Sequence, residues 1–372
     1  MQTSFKHHYV PIWYQKRFLA PGTTAFKILD MQPDRFPLPK GGYRTARNII
    51  ERGPGSFFFE KNLYTTRVFG VANDDIERML FGTIDHRGAA AMEAYQAEDW
   101  NRVHGSYMHM FEFMDALRLR TPKGLAWLQQ LAGAKSKIEV LRLMQELRTM
   151  HCVMWVEGVL EIVSAKNSDA KFIFSDHPVT LFNRHVFPVN VAGQPAGDPN
   201  IAFKGTQTIF PFDRDHLFVL THIEGARVLQ KGAAMSARTN ARFFDNSLAR
   251  YDKCVRNRYL TDAQVREVNY IMKLRAQRYI AGAAEDDLYP ERHLKNRMWP
   301  KLGRFLLPES DNTPSGRGEI FMQTKDGVFH HQDAFGRRPT TKEEYEAKAK
   351  QAQAMHARIL EVLAKDRDSR LK

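Results

Sequence analysis

Two adjacent histidines, His7 and His8, stand in the opening string KHHYVPIWYQKRF. Near neutral pH an imidazole serves as a metal ligand, a general base or a proton donor. On a strand, neighbouring side chains point to opposite faces, so the pair meets one metal only from a loop or a helix start. The structural alternative is that one ring hydrogen-bonds the fold while Tyr9, Tyr14 and Phe18 pack. A matching carboxylate is Asp176 in FIFSDHPVTLFN, at the end of an apolar strand. A strand end fixes a carboxylate while its tip reaches a cleft, where it holds a divalent cation or orients a histidine. Ser175 and Asp176 before Pro178 are equally the composition of an Asx turn. Glu60 and Tyr64 in FFFEKNLYTTR, and Glu77 in DDIERML, are further residues that a shared carboxylate site could recruit. TIFPFDRDHLFVLTH reads as strand, turn, strand, with Asp213, His216 and His222 as its polar residues, and His330-His331 as the surface of a hairpin.

The charge is positive: 55 Lys+Arg against 42 Asp+Glu give +13. It is clustered. Residues 227–258 hold Arg238, Arg242, Arg256 and Arg258 among eight cations, with only Asp245 and Asp252 against them. The run RHLKNRMWPKLGR contains Lys295, Arg297 and Lys301 with no acid, and Trp299 interrupts it. Clustered cations attract a phosphate backbone in a salt-dependent way; a solubilising surface is the plainer alternative. Walker, GxGxxG, HExxH and GxSxG strings are absent, as is the HxE and PCxxC pair of zinc deaminases. The two cysteines, Cys152 and Cys254, form no CxxC pair, which argues against a thiolate zinc site and fits a reducing compartment. No apolar run is long enough to span a bilayer, and the opening string lacks the apolar centre of a secretory signal. A cytoplasmic, non-membrane location is therefore expected.

These residues need elements to position them. At 372 residues, 43% hydrophobic and 26% charged, the chain has the composition of a globular protein with a sizeable core. Residues 1–70 are rich in aromatics, Pro and Gly and read as short strands and turns. From Asn73 to about Ala165 the spacing predicts helices, one capped by Asn73 or Asp74 and another begun at Thr121-Pro122. TMHCVMWVEGVLEIVSA reads as a buried helix. Strands follow from Lys171, and residues 236–281 read as helical, with Thr261 or Asp262 as cap and Gly282 as C-cap. The expectation is an α+β fold in which helix outweighs strand: a central helical segment on a small, mainly antiparallel sheet. The main domain would span 1–282, and a C-terminal hairpin-plus-helix appendage would span 283–372, with a linker near 308–318.

HHYVPIWYQKRF, EKNLYTTR, RTP, FIFSDHPV, TIFPFDRDHLFVLTH and VNYIMKLRAQRYIAG occur in this order. Together they resemble the domain-of-unknown-function family DUF4238, over residues 5 to about 282. The resemblance brings no established activity. It marks His7, His8, Tyr9, Pro11, Tyr64, Asp176, Pro178, Pro211, Asn269 and Arg275. His177 stands where the family usually has Asn, and no essential role is expected of it.

The leading expectation is a metal-dependent phosphodiesterase, a nuclease on RNA or DNA. His7 or His8 would act as base or ligand, and Asp176 with His8 would hold Mg or Mn. Tyr9, Glu60, Tyr64, Glu77, Asn269 and Arg275 would support them, and Arg238, Arg242, Arg256, Arg258, Lys295, Arg297 and Lys301 would hold the nucleic acid. The cation would lower the pKa of the attacking water. The alternatives are a non-catalytic nucleic-acid binder and a scaffold without catalysis. On the nuclease reading, labelled RNA or DNA is cut with magnesium or manganese, and His8→Ala and Asp176→Ala abolish the cut; an unchanged rate in both ends that reading.

Overall fold

The computed structural model describes residues 6–370 apart from 40, 65, 69–70, 74–80, 134–135, 189–196, 227–230, 239–253, 309–319, 326, 328, 333–338 and 340. Glu77 and Arg242 lie outside the described residues, as does the Arg256 side chain. Short strands dominate the first part: β1 Lys6–His8, β2 Phe26–Asp30, β3 Arg35–Pro37, β4 Tyr43–Thr45, β5 Ile49–Arg52, β6 Phe59–Lys61, β7 Thr66–Val68 and β8 Val71–Asn73, with helix α1 Ile12–Lys16 after β1. Four helices follow: α2 Gly82–Gln96, α3 Trp100–Leu119, α4 Pro122–Ala132 and α5 Lys137–Val156. Next come β9 Val159–Ser164, β10 Phe174–Ser175, β11 Thr180–Phe182, β12 Gln207–Pro211, β13 His216–Thr221, α6 Lys231–Ala234 and β14 Cys254–Tyr259. The chain continues through α7 Asp262–Arg275, β15 Tyr279–Gly282, the hairpin β16 Ile320–Gln323 and β17 Phe329–Gln332, and α8 Lys342–Arg370. The fold is α+β, with 44% helix against 19% strand.

Local chemistry sets the helix ends. Thr121 caps α4 by accepting the Gly124 N–H, Pro122 fills the first turn where no donor is needed, and Gly133 closes the helix at φ +53°. Ser136 with Glu139 and Thr261 with Gln264 form capping boxes on α5 and α7. Gly88 lets α2 lie directly against the Phe113 ring of α3; a Cβ there would overlap it.

Two sheets carry the rest. One has the order β10-β15-β2-β5, antiparallel throughout. The other has the order β11-β12-β13-β9-β14, antiparallel except where β14 runs parallel to β9. Phe174 joins sheet, α1 and loops. Its ring lies 4.7 Å from Phe18, 5.0 Å from Phe58 and 5.4 Å from Phe26. Tyr14 stacks on Phe210 at 5.5 Å and donates its hydroxyl to the Pro211 carbonyl at 2.7 Å. Buried aromatic pairs contribute about 0.5–1.5 kcal/mol each beyond their buried area. Leu288, Trp299, Leu302 and Leu306 pack with Leu29, Phe172 and Ile271, so the packed interior reaches past residue 282.

Three expected helical stretches are corrected; within 236–281, Cys254–Tyr259 forms β14 alongside β9. The buried helix expected through Ala165 stops at Val156, and the next residues form β9. β9 lies between β13 and β14 and is buried on both faces, so it reads as a continuous apolar run that periodicity does not separate from a buried helix. The helix expected to end at Gly282 ends at Arg275, and Gly282 closes β15 instead. The cause is Asp176. Its carboxylate accepts the N–H groups of Gln277, Arg278 and Tyr279 at 2.9, 2.7 and 2.8 Å, so these donors leave the helical ladder. In the appended hairpin His330 is exposed but His331 is buried, following strand alternation. The Tyr345 hydroxyl of α8 accepts the Phe329 N–H at 3.1 Å.

Asp176→Asn keeps the side chain's size but turns an N–H₂ toward backbone donors. It is expected to cost about 2–4 kcal/mol in urea denaturation, since buried N–H groups lose their acceptor. An Asn variant as stable as the parent would show that the clamp is dispensable.

Candidate functional site

Several of the family-marked residues, His7, Tyr9, Tyr64 and Asp176, are buried and linked to one another through side-chain and backbone groups. His7 and His8 lie on β1 and face apart. The His7 Nδ1 accepts the Tyr64 N–H at 2.9 Å, and its ring stacks on Tyr64 at 5.3 Å. Tyr64 donates its hydroxyl to the Arg120 carbonyl at 2.5 Å, and Arg120 donates from Nε to the Tyr9 carbonyl at 3.2 Å. His8 donates from Nε2 to the Gly55 carbonyl at 3.0 Å. Burial raises the Tyr9 hydroxyl pKa first, and the charges of Asp176 and Glu60 raise it further. Asp176 and Glu60 therefore both lie within electrostatic reach of Tyr9, although Glu60 is exposed. Asn269 accepts the Ile173 N–H at 3.2 Å and donates to the Lys171 carbonyl at 2.8 Å, tying α7 to the segment before β10.

This geometry does not fit a cation at Asp176 and His8. Both Asp176 oxygens already accept backbone N–H groups, and the His8 nitrogen nearest a neighbour is a donor. Burial raises the Asp176 carboxyl pKa, and the three N–H bonds oppose it. Among the described residues no group of three or more His, Cys, Asp or Glu side chains is placed to hold a metal.

The fold also brings together groups that the sequence reading missed. The Thr121 hydroxyl lies 2.8 Å from His177 Nδ1, and His177 Nε2 lies 3.1 Å from Asp198. Lys123 reaches the other Asp198 oxygen at 2.6 Å and the Arg275 carbonyl at 2.7 Å. Burial pushes the Asp198 carboxyl up, but the Lys123 ammonium and the His177 ring outweigh it and hold it well below the ordinary range. Burial lowers the His177 pKa, and the Asp198 carboxylate opposes that shift; the ring lies between the Thr121 hydroxyl and Asp198. His177 thus has structural partners where the family comparison suggested no role. Its neighbours in the strings RTP and SDHP were the available signal.

A second feature lies at the surface. Asn183 is fully buried and gathers three segments. Its amide donates to the Ala234 carbonyl at 3.1 Å, its side-chain oxygen accepts the His185 N–H at 3.0 Å, and its own carbonyl accepts the Trp299 indole N–H at 3.0 Å. Arg275 lies over the Trp299 ring at 4.9 Å and donates to the Gly197 and Val186 carbonyls at 2.7 and 2.9 Å. The loop 183–187 is thereby fixed against α6 and the Trp299 turn. This brings Arg184, Lys231 and Arg304 together. Burial and then the Arg304 charge lower the Arg184 pKa; burial and then Arg184 and Lys231 lower that of His185. Lys295, Arg297, Lys301 and Arg304 are exposed, with no acidic partner among the described residues. Phe187 is 61% exposed beside the Trp299 turn, its ring centroid 6.4 Å from that of Trp299.

Other cations assigned to this role turn inward. Arg238 pairs with Glu157, and its side chain is 5% exposed. Arg258 pairs with Glu161 at 2.6 Å and donates to the Phe305 carbonyl. Both guanidiniums are thereby committed to the interior, which corrects their assignment to a phosphate-binding surface. Arg275 is likewise committed to carbonyls and to Trp299.

His222 sits beside the Arg238–Glu157 pair, with Nε2 at the Ile201 carbonyl and Nδ1 3.5 Å from Arg238. Burial, then Arg238, lowers its pKa to about 4. The unfolded ring titrates near ~6.5. Between these values the unfolded chain binds a proton that the folded chain does not, so stability falls as pH drops through that window. By this linkage His222 removes about 2 kcal/mol between pH ~6.5 and ~5. His222→Gln is expected to flatten the slope of unfolding free energy between pH 7 and 5; equal slopes would remove His222 from the account.

A search of curated proteins finds no match to this chain, and neither does a search of solved structures. No helix among the described residues is long and apolar enough to cross a membrane. Residues 6–286 match the family described as Protein of unknown function (DUF4238), from the His7 strand through Asp176 and its clamp to the end of β15. That span is about three quarters of the 372 residues, and the chain belongs to this family.

Proposed function

We propose that the protein binds nucleic acid through the cationic surface of Arg184, Lys231, Arg297, Lys301 and Arg304. The observation that supports it is the set of cations around Asn183 and Trp299 that have no acidic partner among the described residues. Like charges held this close raise one another's electrostatic energy. The backbone of a polyanion relieves that repulsion and releases its counterions on binding. Of the expected cations, Lys295, Arg297 and Lys301 belong to the exposed run, whereas Arg238 and Arg258 are already paired. Binding without catalysis is favoured over phosphodiesterase chemistry, because the carboxylate and imidazole proposed for a cation already hold backbone groups.

The test is fluorescence anisotropy with labelled RNA and DNA at ~50 and ~200 mM salt. The parent is expected to bind with a steep salt dependence. The triple variant Arg297→Glu, Lys301→Glu, Arg304→Glu is expected to bind at least tenfold more weakly and to lose about 0.7–0.9 of log-log slope per phosphate contact removed. An unchanged thermal midpoint would show that the variant is folded. Absence of binding at low salt, or equal binding by the variant, would refute the proposal. Magnesium- or manganese-dependent cleavage by the parent would restore the phosphodiesterase reading in its place.

A further inference from the structure

We infer that the nucleic acid taken by this surface is single-stranded, with an unpaired base stacked on Phe187. The inference rests on the binding function proposed above and narrows its substrate. Phe187 is 61% exposed and Met298 is 58% exposed. A lone exposed apolar side chain is ordinary. Phe187 differs because three independent contacts fix its place. The preceding carbonyl, Val186, accepts from Arg275 at 2.9 Å. The ring meets Trp299 edge-on at 6.4 Å and 69°. Asn183, four residues earlier, is held by α6 and by the Trp299 indole.

An edge-supported ring leaves a face for stacking. A platform already held in place loses little conformational entropy when a base arrives. Cations stand on both chain segments that bracket the ring: Arg184 on its own loop, and Arg297, Lys301 and Arg304 on the Trp299 turn. Proteins that take single strands without strong sequence preference combine these two elements, a cationic track for the backbone and an aromatic plane for a base. A duplex keeps its bases stacked on each other and offers the ring only its backbone. An anionic lipid surface would also meet cations and an apolar tip. Membrane-surface binders, however, usually present a long amphipathic helix, whereas this patch is made of turns with two large exposed apolar side chains.

The experiment compares Phe187→Ala, Phe187→Trp and the triple charge variant, each by anisotropy against single-stranded RNA and the same sequence as duplex. Phe187→Ala is expected to weaken single-strand binding roughly five- to 150-fold, the range for losing one stacked base, and to leave duplex binding within twofold. Phe187→Trp is expected to retain single-strand binding. If the charge variant weakens both ligands while Phe187→Ala changes neither, the single-strand inference is wrong and the backbone-binding proposal stands. If the charge variant changes nothing, both are wrong. Phe187-dependent sedimentation with phosphatidylserine-containing vesicles, without RNA binding, would overturn both in favour of a lipid surface.

Discussion

One buried carboxylate sets the geometry of the family region. Asp176 accepts three consecutive backbone N–H groups just after α7. A helix end normally leaves carbonyls unsatisfied and frees the chain to wander. Here the donors that follow are captured in order, and Gln277 to Tyr279 are pulled into the line of β15. That strand then fits between β10 and β2. The same stretch carries Arg278, which reaches Asp30 through Nε and Nη2 at 2.9 and 2.8 Å. Phe174, two residues before Asp176, gathers the aromatic rings beneath. The helical layer joins at the same place, where Thr121, His177, Asp198 and Lys123 form one unbroken line of polar contacts.

Much of this was legible where the signal is local. The capping of α4 and α7, the strand-turn-strand around Pro211 and the dominance of helix over strand follow from neighbouring residues. Asp176 was legible as a residue at a strand end, with a site and a turn as its two readings. Its partners, about 100 positions away, were not. The end of α7 was misplaced for that reason: nothing in QRYIAG opposes a helix until Asp176 takes its donors. The strand β9 was missed because a strand buried on both faces has no alternation to read.

Charge shows the same limit. Counting cations along residues 227–258 gave Arg238 and Arg258 the weight of Lys301, yet their acids, Glu157 and Glu161, are supplied by the end of α5 and by β9. Burying a guanidinium is tolerable only with such a partner. Conversely Arg184 and Phe187 stand in an unremarkable stretch, and only the contacts of Asn183 and Trp299 bring them beside the Trp299 turn. Asp198 belongs to neither a string nor a cluster; its place becomes visible when Lys123 and His177 converge on it.

The position of β15 in its sheet has a consequence for how the chain is made. β2 leaves a ribosome well before β15, which is made only after the helical layer and the five-stranded sheet. Until Gly282 emerges, β2 has no partner on that side, and β10 has none at all within its sheet. Long-range pairings of this kind are slow to form and expose strand edges while they wait. During synthesis the edge of β2 therefore stays open until β15 is made. The pairing that completes this sheet closes late, and the order in which the strands are made bears on folding apart from the stability of the finished fold.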